Sequence, residues 1–403
     1  MMFGCSAEKS GSIWVSVAEI SGDIHAADLL KALALRCPGL RFRGIAGPSL
    51  MAFSESASAA GCETVGLEGA SLPLFTSILG IEELSVMGGT EVLSALPRIF
   101  RAWRKVRRDL EENRPDAVVL VDAPDFNFKV AKMACKLGIP VYYYISPKIW
   151  AWRSGRANFL KKYTRKVISI LPFERDFYKK FGMDVPYVGN PLVAAMNLPE
   201  LDKLEAVPGR VGLMPGSREK EVKALMPLFS RAAEIIAAQT PVVSFHCIQA
   251  PGISPDLIAS LWQSKIPLHL ESSAFRYRFM RSCDCILAAS GTATLECALA
   301  GRPTVVTYKL SALTGYLARK VLNVKYVSLP NLILDKEVFP ELLQEDARPE
   351  LMAGHVMKWL CATKGRERVQ ADLAEIRARL GSKSAPAEAA GIILDDLCAV
   401  SAS

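Results

Sequence analysis

The chain has 403 residues, half of them hydrophobic, with a formal net charge of +8 and ten cysteines. That length exceeds one ordinary hydrophobic core and predicts two domains. The positive charge favours anionic partners without choosing among nucleic acid, acidic phospholipid and phosphorylated metabolites. The cysteines form no CxxC pair and the four histidines form no HExxH pattern. We therefore expect reduced thiols in a cytosolic protein, with no metal and no cofactor.

The N-terminal segment lacks a basic region followed by an apolar core, so no secretory signal is predicted. No uninterrupted apolar segment reaches the roughly 18 residues that span a bilayer. We expect a protein that is free in the cytoplasm or lies on a membrane surface.

The first predicted strand, at 13–18, leads through a polar turn that includes Glu19 into a helix. Ser21 or Asp23 can cap this helix, and Gly22 lets a ligand approach the backbone, so the turn can present N–H groups to an anion. The GxGxxG spacing of dinucleotide sites is absent, and a plain helix cap explains the turn equally well.

The stretch 65–93 is apolar and rich in glycine, without a clear strand or helix period. The next segment, 97–114, is predicted to be a helix, and it combines aromatic residues with a basic set: Arg98, Arg101, Arg104, Lys105, Arg107 and Arg108. An apolar loop beside such a helix suits the surface of an anionic membrane. A lid packed on the core with a solvated helix is the alternative.

The stretch VVLVDAPDFN, residues 118–127, reads as a buried parallel strand that delivers an aspartate. In open α/β sheets ligands bind beyond the carboxyl ends of strands, so Asp122 is placed where a catalytic carboxylate can meet substrate. The alternative is that Asp122 or Asp125 only caps a helix that starts near Phe126.

A further strand at 139–146 is followed by a segment in which Trp150 and Trp152 lie two residues apart and cannot share a helix face. We interpret it as a loop beside a cleft, with a basic set: Lys148, Arg153 and Arg156. The repeated strand and helix units predict a doubly wound sheet, and the proline-rich residues 189–209 are typical of a linker.

A second α/β series begins with a strand at 210–214 and the turn 215–218, after which a helix starts by Glu221. The helix N-terminus and Arg218 both favour negative charge, so this turn suits a diphosphate. His246, within a later strand, is interpreted as a packed residue.

The strand CILAA, 285–289, runs into a turn whose small and hydroxyl-bearing residues suit a phosphate: Ser290, Gly291 and Thr292. Glu296 is placed in the first helical turn, where it can reach ribose hydroxyls. A capping box explains the hydroxyl-bearing residues of this turn. It does not explain why a second turn that suits a phosphate, 215–218, occurs in the same half of the chain. Asn331 follows a proline turn, Gln344 lies on a short helix, and the tail from 349 to 400 is predicted to be helical.

Together these segments resemble the bacterial lipid-A-disaccharide synthase family. The matching blocks, in order, are EISGDIHAADL, FRGIAGPSL, ELSVMG, VDAPDFN, SPKIWAWR, LPFE, MPGSR, SGTATLE, SLPN and ELLQE. The resemblance implies the α/β GT-B fold, with two Rossmann-like doubly wound domains facing a central cleft and C-terminal helices that pack back on the first domain. We place an acceptor and membrane-facing domain at 13–188, the linker at 189–209, a UDP-sugar domain at 210–365 and a helical tail at 366–400.

The resemblance implies an inverting transfer from UDP-2,3-diacylglucosamine to the 6-hydroxyl of 2,3-diacylglucosamine 1-phosphate, which releases UDP and forms a β-1,6 linkage. Asp122 matches the family's proposed base. Residues that match substrate-binding positions are Glu19, Ser21 and Asp23 in the first domain, and Arg218, Ser290, Gly291, Thr292, Glu296, Asn331 and Gln344 in the second. We expect these two lipid substrates and an anionic membrane surface as partners, at the inner face of the cytoplasmic membrane, without nucleic acid and with the oligomeric state open.

The sequence departs from the family pattern at three positions. Ala18 and Ile20 stand where relatives carry glycine and alanine, and Asn190 stands where a histidine is common. Two other functions are weighed against the resemblance. One is a different UDP-sugar enzyme, such as another transferase or a UDP-N-acetylglucosamine epimerase. The other is a non-enzymatic basic protein that binds membrane or nucleic acid.

Overall fold

The protein's structure is a computed structural model that describes residues 11–59, 64–65, 71–72, 75–84, 92–240, 242–309, 324–361 and 363–402. It divides into two compact units. The first comprises Met1–Pro191 with Lys383–Ser403, and the second comprises Leu192–Ser382.

The described strands are β1 (Ser12–Ser16), β2 (Arg41–Ala46), β3 (Thr64–Val65), β4 (Ser71–Leu72), β5 (Phe75–Gly80), β6 (Ala117–Val121), β7 (Val141–Tyr144), β8 (Lys166–Ile168), β9 (Arg210–Met214), β10 (Ser244–Gln249), β11 (Leu268–Ser272), β12 (Cys285–Ala289), β13 (Thr304–Tyr308) and β14 (Glu341–Leu343).

The described helices are α1 (Ile20–Arg36), α2 (Pro48–Ala59), α3 (Val92–Asn113), α4 (Pro124–Lys136), α5 (Ile149–Trp152), α6 (Arg156–Tyr163), α7 (Pro172–Lys179), α8 (Pro191–Ala195), α9 (Leu198–Leu201), α10 (Glu219–Gln239), α11 (Pro255–Leu261), α12 (Arg276–Ser282), α13 (Thr292–Leu299), α14 (Leu329–Leu334), α15 (Pro349–Cys361), α16 (Thr363–Leu380) and α17 (Ala385–Ala402). Short 3-10 turns lie at Ile81–Glu83, Ser273–Phe275 and Gln344–Asp346.

The first unit is built on a parallel sheet with the strand order β5-β2-β1-β6-β7-β8. Every residue of β6 and β7 is buried, as expected for apolar strands covered by helices on both faces. From β1 the chain adds β2 and β5 on one side of the sheet, and it then crosses over to add β6, β7 and β8 on the other side. The direction in which strands are added therefore reverses between β1 and β6, which pair in parallel. This topological switch point is where open α/β sheets bind ligands.

The second unit repeats the design, with the strand order β11-β10-β9-β12-β13-β14 and parallel pairing throughout. Its switch point lies between β9 and β12, and all five residues of β12 are buried. The prediction of two doubly wound α/β domains is therefore confirmed.

The two last helices belong to different units. α16 packs against α13 and α14 in the second unit, whereas α17 packs against α1 in the first. The Tyr142 hydroxyl donates to Asp396 of α17 at 2.7 Å, and Lys166 pairs with the same carboxylate at 3.6 Å. The first unit boundary, at Leu192, lies within the linker expected at 189–209. The second lies at Lys383 rather than at 366, because 366–382 belongs to the second unit.

Within the described residues, no helix is both long and apolar enough to cross a membrane. Three parts of the apolar stretch 65–93 lie outside the described residues, namely 66–70, 73–74 and 85–91. The basic helix that follows it is α3, which begins earlier than the predicted 97.

Candidate active site

Asp122 directly follows β6 in a left-handed backbone conformation, with φ +47° at Asp122 and +45° at Ala123. Side chains hold its carbonyl oxygen in this unfavourable geometry. The Tyr143 hydroxyl donates to it at 2.6 Å and the Asn127 amide at 2.8 Å. The Asn127 oxygen in turn accepts from the Ser16 hydroxyl at 2.6 Å. This buried network fixes the direction in which the strand presents Asp122.

The capping alternative weighed for Asp122 and Asp125 does not hold in the structure. α4 begins at Pro124 rather than near Phe126, its N-cap is Ala123, and no side chain caps it. Asp125 lies in the first turn, is 82% exposed and pairs with Arg156 at 3.2 Å. Neither aspartate is used as a cap, which removes the main competing explanation for Asp122.

The turn after β1 also differs from expectation. Ser21 and Asp23 lie inside α1 and cap nothing there, because the helix starts at Ile20 with Glu19 as its N-cap. Asp23 is fully buried and accepts hydrogen bonds from backbone N–H groups at the start of α2, including that of Gly47 at 2.8 Å. A Cβ on Gly22 would lie at an ordinary contact distance, 3.7 Å, from a backbone oxygen of β6, so close packing does not by itself require a glycine there.

Glu19 and Asp122 line one cavity of about 240 Å³ in the first unit. Its walls also carry Trp152 and three cations: Lys148, Arg153 and Arg156. The predicted loop at this position is a short helix, α5, with Trp150 buried and Trp152 44% exposed. The sequence indicated the cations beside a cleft, and the structure places them around the candidate base.

Burial raises the pKa of Asp122 above its usual range. The positive charge of Lys148 lowers that pKa and the negative charge of Glu19 raises it, with burial the largest influence. A carboxylate with a raised pKa is a stronger proton acceptor near neutral pH, which is the requirement for a general base.

Glu174, in the LPFE block, was not singled out from sequence. Its buried carboxylate accepts from the Trp150 indole N–H at 3.1 Å and from the Leu171 N–H at 3.3 Å. Burial raises the pKa of Glu174 to about 8. Glu174 therefore supports α5 through Trp150. This partner lies 24 residues earlier in the chain, so the sequence signal for Glu174 was its place in the LPFE block.

In the second unit, the turn after β9 leads into α10, which begins at Glu219, in agreement with a helix expected to start by Glu221. Gly216 has φ +113°, and a Cβ there would lie 2.4 Å from the Glu221 carboxylate. That carboxylate accepts from the N–H groups of Ser217 at 3.1 Å and Arg218 at 3.3 Å. The Arg218 guanidinium is 79% exposed and pairs with Glu221 at 3.1 Å. Two backbone donors of this turn, those of Ser217 and Arg218, are thus already occupied, while the Arg218 side chain is largely exposed.

The turn after β12 is open. Gly291 is the N-cap of α13, no side chain caps that helix, and both Gly291 and Thr292 are exposed. The capping box weighed from sequence is therefore absent. The Ser290 N–H donates to the carbonyl of Thr307 at 3.0 Å, which ties this turn to β13. The uncapped start of α13 offers backbone donors to an anion.

Glu296 lies one helical turn further than predicted, as the fifth residue of α13. It is buried and pairs with Arg276 at 3.4 Å. Burial raises the pKa of Glu296, and the charge of Arg276 opposes that rise.

Asn331 is fully buried on α14 and uses its side chain within the protein. Its amide donates to the carbonyl of Phe339 and to Glu341, each at 2.8 Å, and its oxygen accepts from the Val338 and Phe339 N–H groups at 2.9 Å. These contacts give Asn331 a structural role.

Gln344 follows β14 at the same sheet edge as the two turns and has φ +54°. It begins the 3-10 turn expected from sequence.

Two further residues have structural contacts. His246 stacks on His269 with ring centroids 4.6 Å apart, in keeping with a packed residue. Asn190, at the family's histidine position, donates to the carbonyl of Ile170 at 3.0 Å. In the part of the chain that the structure describes, no three His, Cys, Asp or Glu side chains converge to hold a metal ion.

Comparison with known families decides the assignment. The family model for lipid-A-disaccharide synthetase matches residues 13–392. The chain belongs to the lipid-A-disaccharide synthase family. The family member from Myxococcus xanthus is 38% identical over 394 residues, which cover 95% of this chain and 97% of that protein. The member from Nitrosococcus oceani is 38% identical over 385 residues, covering 93% and 94% of the two chains.

Solved structures share the fold of this family member at low identity. MurG from Acinetobacter baumannii superposes with a TM-score of 0.58 at 15% identity, covering 96% of this chain and 99% of MurG. UGT2 from Phytolacca americana, complexed with UDP-2fluoro-glucose and pterostilbene, gives 0.61 at 12% identity and covers 96% and 100%. UDP-GlcNAc 2-epimerase from Neisseria meningitidis, bound to UDP-GlcNAc, gives 0.60 at 13% and covers 96% and 98%. The chain is accordingly a GT-B glycosyltransferase of lipid A biosynthesis.

Proposed function

We propose that Asp122 is the general base of an inverting transfer from UDP-2,3-diacylglucosamine to the 6-hydroxyl of 2,3-diacylglucosamine 1-phosphate. The hydroxyl oxygen attacks the anomeric carbon of the donor, its proton passes to Asp122, and the bond to UDP breaks. Inversion converts the α-linked donor into a β-1,6-linked disaccharide 1-phosphate. The observation that carries the proposal is the fixed placement of Asp122, with a raised pKa, beside a cavity at the switch point of the first sheet.

The left-handed backbone at Asp122 supports this role. Such a conformation costs about 1–3 kcal/mol and persists only where surrounding contacts enforce it. Asn127 and Tyr143 supply those contacts at the Asp122 carbonyl. A base held in one direction does not have to be reoriented during proton transfer, so we assign these two side chains to positioning.

We assign the leaving diphosphate to the second unit. Glu221 already accepts from the turn after β9. The donors left for a diphosphate are therefore the uncapped start of α13, at Gly291 and Thr292, and the exposed Arg218 guanidinium. Helix N-termini and guanidinium groups both stabilise a developing phosphate charge, and this requires no metal ion.

The remaining predicted contacts divide into candidates for substrate contact and residues whose side chains are engaged within the protein. Glu19 and Ser21 are exposed at the start of α1, and we keep them as candidates for substrate contact. We also keep Ser290, Glu296 and Gln344 as candidates near the nucleotide or donor sugar. Asp23 and Asn331 are fully buried with their oxygens already hydrogen-bonded, so they are not included among the ligand-contacting residues.

The assay that tests the function uses purified protein with both lipid precursors in detergent micelles. We expect formation of disaccharide 1-phosphate and UDP in equal amounts. Water-soluble UDP-sugars should compete poorly against the acylated donor. Folded protein that forms no product would contradict the proposal, and strong competition by UDP-N-acetylglucosamine would favour a different UDP-sugar enzyme.

We further propose peripheral association with the cytoplasmic face of an anionic membrane through α3. Arg98, Arg101 and Arg104 are exposed on this helix, and Phe100 beside them is 56% exposed. Each basic residue near an anionic surface contributes about 1 kcal/mol. Phe100 adds an apolar side chain that can enter the headgroup region.

Flotation with phosphatidylserine-containing liposomes tests this. Replacing Arg98, Arg101 and Arg104 together by glutamine should weaken partitioning by about 100-fold at low salt. The matched control replaces Arg107 and Arg108, whose charges are balanced by Glu111 at 2.8 Å and Glu112 at 2.7 Å. Equal flotation of the triple variant and wild type, or failure of wild type to float, would contradict peripheral association through this helix.

A further inference from the structure

The cavity beside Asp122 carries a cationic group that general base catalysis does not require. Lys148, Arg153 and Arg156 all line it. Both arginines share one carboxylate, Asp125, at 3.8 Å and 3.2 Å. Among the described residues, no carboxylate oxygen lies within 4.0 Å of the Lys148 ammonium. Asp122 lines the same cavity, and the charge of Lys148 lowers the pKa of its carboxyl group. Lys148 and Arg153 are exposed and Arg156 is 27% exposed, and three cations gathered around one cavity favour an anionic ligand.

The two guanidinium groups are oriented by aromatic rings. Arg153 lies over Trp152 at 4.0 Å from the ring centroid, and Arg156 lies over Phe128 at 5.2 Å. Stacking fixes the guanidinium plane and leaves its edge N–H groups to donate. This is the arrangement that binds phosphate through two parallel hydrogen bonds.

The existing partner of these arginines is weak. Asp125 is 82% exposed, so its ion pairs with Arg153 and Arg156 are screened by solvent. Exposed ion pairs contribute little, and a phosphate dianion inside the cavity can replace them at small cost. The arginines are therefore available to a ligand although they are paired in this structure.

The chemistry of the proposed acceptor supplies such an anion. Its reacting 6-hydroxyl is carried by C6 on C5 and its phosphate by C1, and C5 and C1 both flank the ring oxygen. The two groups therefore lie within the span of one hexose, and the cavity volume of about 240 Å³ suits a group of that size. When Asp122 accepts the proton of the 6-hydroxyl, the phosphate lies within one ring's span of it and can reach the cations that line the same cavity. We propose that Arg156, Arg153 and Lys148 bind the anomeric phosphate of the acceptor and so set the acceptor's orientation toward Asp122. This rests on the proposed function.

The test compares two acceptors that differ only at the anomeric position, 2,3-diacylglucosamine 1-phosphate and 2,3-diacylglucosamine. Neutral detergent micelles exclude anionic phospholipid as a competing source of phosphate. Wild type should prefer the phosphorylated acceptor by about 10- to 100-fold in kcat/KM, as expected for charge-assisted hydrogen bonds. Arg156→Gln should lose about 10-fold of this preference, measured as the ratio of kcat/KM for the two acceptors so that a general loss of activity cancels.

Arg175→Gln is the matched control, because Arg175 is exposed on α7 of the same unit and does not line the cavity. It should keep the full preference. Arg153→Gln, at a side chain that is 43% exposed, provides a second variant should Arg156→Gln fold poorly. UDP affinity is measured for each variant by calorimetry and should be unchanged.

The outcomes separate this inference from the proposed function. If wild type turns over neither of the two acceptors, the proposed function itself is contradicted. An active wild type with no preference, or a preference that Arg156→Gln and Arg153→Gln both leave intact, overturns only the phosphate assignment. A loss of UDP affinity in these variants would also overturn it, because the cations would then serve the donor diphosphate.

Discussion

The two sheets have the same strand order and the same switch point, yet their edge residues differ in chemical character. In the first unit the strands at the switch point end at Glu19 and Asp122, two carboxylates beside a cavity. In the second they end at Arg218 and the open turn at Gly291. One backbone plan therefore presents a proton acceptor in one unit and anion-binding donors in the other. Topology fixes where a ligand binds, and the few residues after each strand decide the chemistry.

The largest effect is expected at the carboxylate of the first unit. Asp122→Asn keeps the size of the side chain but cannot accept the acceptor proton, so turnover should fall about 100-fold or more. Steady-state assay with both lipid substrates measures this. Near-normal turnover would remove Asp122 as the base and with it the chemical distinction between the two switch points.

Two buried asparagines sharpen the comparison. Asn127 and Asn331 are each fully buried and hydrogen-bond backbone groups, but only Asn127 contacts the switch point of its sheet. Replacing either with alanine leaves backbone groups without partners and should cost about 2–3 kcal/mol of stability in urea unfolding. On folded protein, only Asn127→Ala should lower kcat. A comparable fall in kcat for Asn331→Ala would show that its contacts also serve the site.

Glu174 is expected to make the free energy of unfolding depend on pH. Its pKa is about 8 in the folded protein, against an ordinary value of 4.5. Between these values the folded state binds more protons than the unfolded state, so this contribution to stability is fully present below 4.5 and is lost as pH rises through 8.

Urea unfolding of wild type and Glu174→Gln across this range measures the effect. The advantage of wild type over the variant should decline with rising pH, at up to about 1.4 kcal/mol per pH unit. Parallel profiles for the two proteins would show that the buried carboxyl does not titrate in this way.

The smallest expected effects concern the acidic limb of the pH profile, which is the pH range in which kcat/KM falls as the solution becomes more acidic. Two substitutions should shift this limb in opposite directions. Lys148 lowers the pKa of Asp122 and Glu19 raises it. Lys148→Gln should therefore move the acidic limb to higher pH, and Glu19→Gln should move it to lower pH. The unphosphorylated acceptor is used, so that phosphate binding does not contribute. Shifts in the same direction would show that the limb reports a group other than Asp122.

The parts of the fold that sequence predicted are those with continuous apolar patterns. β6, β9 and β12 were expected at their observed positions, because strands buried on both faces leave an unbroken run of apolar residues. The ends of helices were less predictable. The residue that precedes α4 is Ala123 in a left-handed conformation, and such a backbone cap has no side-chain signature.

Side-chain roles failed where partners are distant in sequence. Asp23 was expected at a ligand, but its hydrogen-bond donors lie 24 to 27 residues away at the start of α2. Asn331 likewise resembles a ligand-binding residue until its backbone partners are known. By contrast, Asp122, Glu19 and the cations could be predicted together, because their positions follow from strand ends at one sheet edge.

The division of chemistry between the two units is tested most directly by measuring UDP affinity and turnover in parallel for Asp122→Asn and Arg218→Gln. We predict that Asp122→Asn loses turnover and binds UDP as tightly as wild type, measured by calorimetry. Arg218→Gln should weaken UDP binding by about 10-fold or more, as expected for loss of a charge-assisted contact to the diphosphate. Weakened UDP binding by Asp122→Asn, together with unchanged binding by Arg218→Gln, would contradict the account.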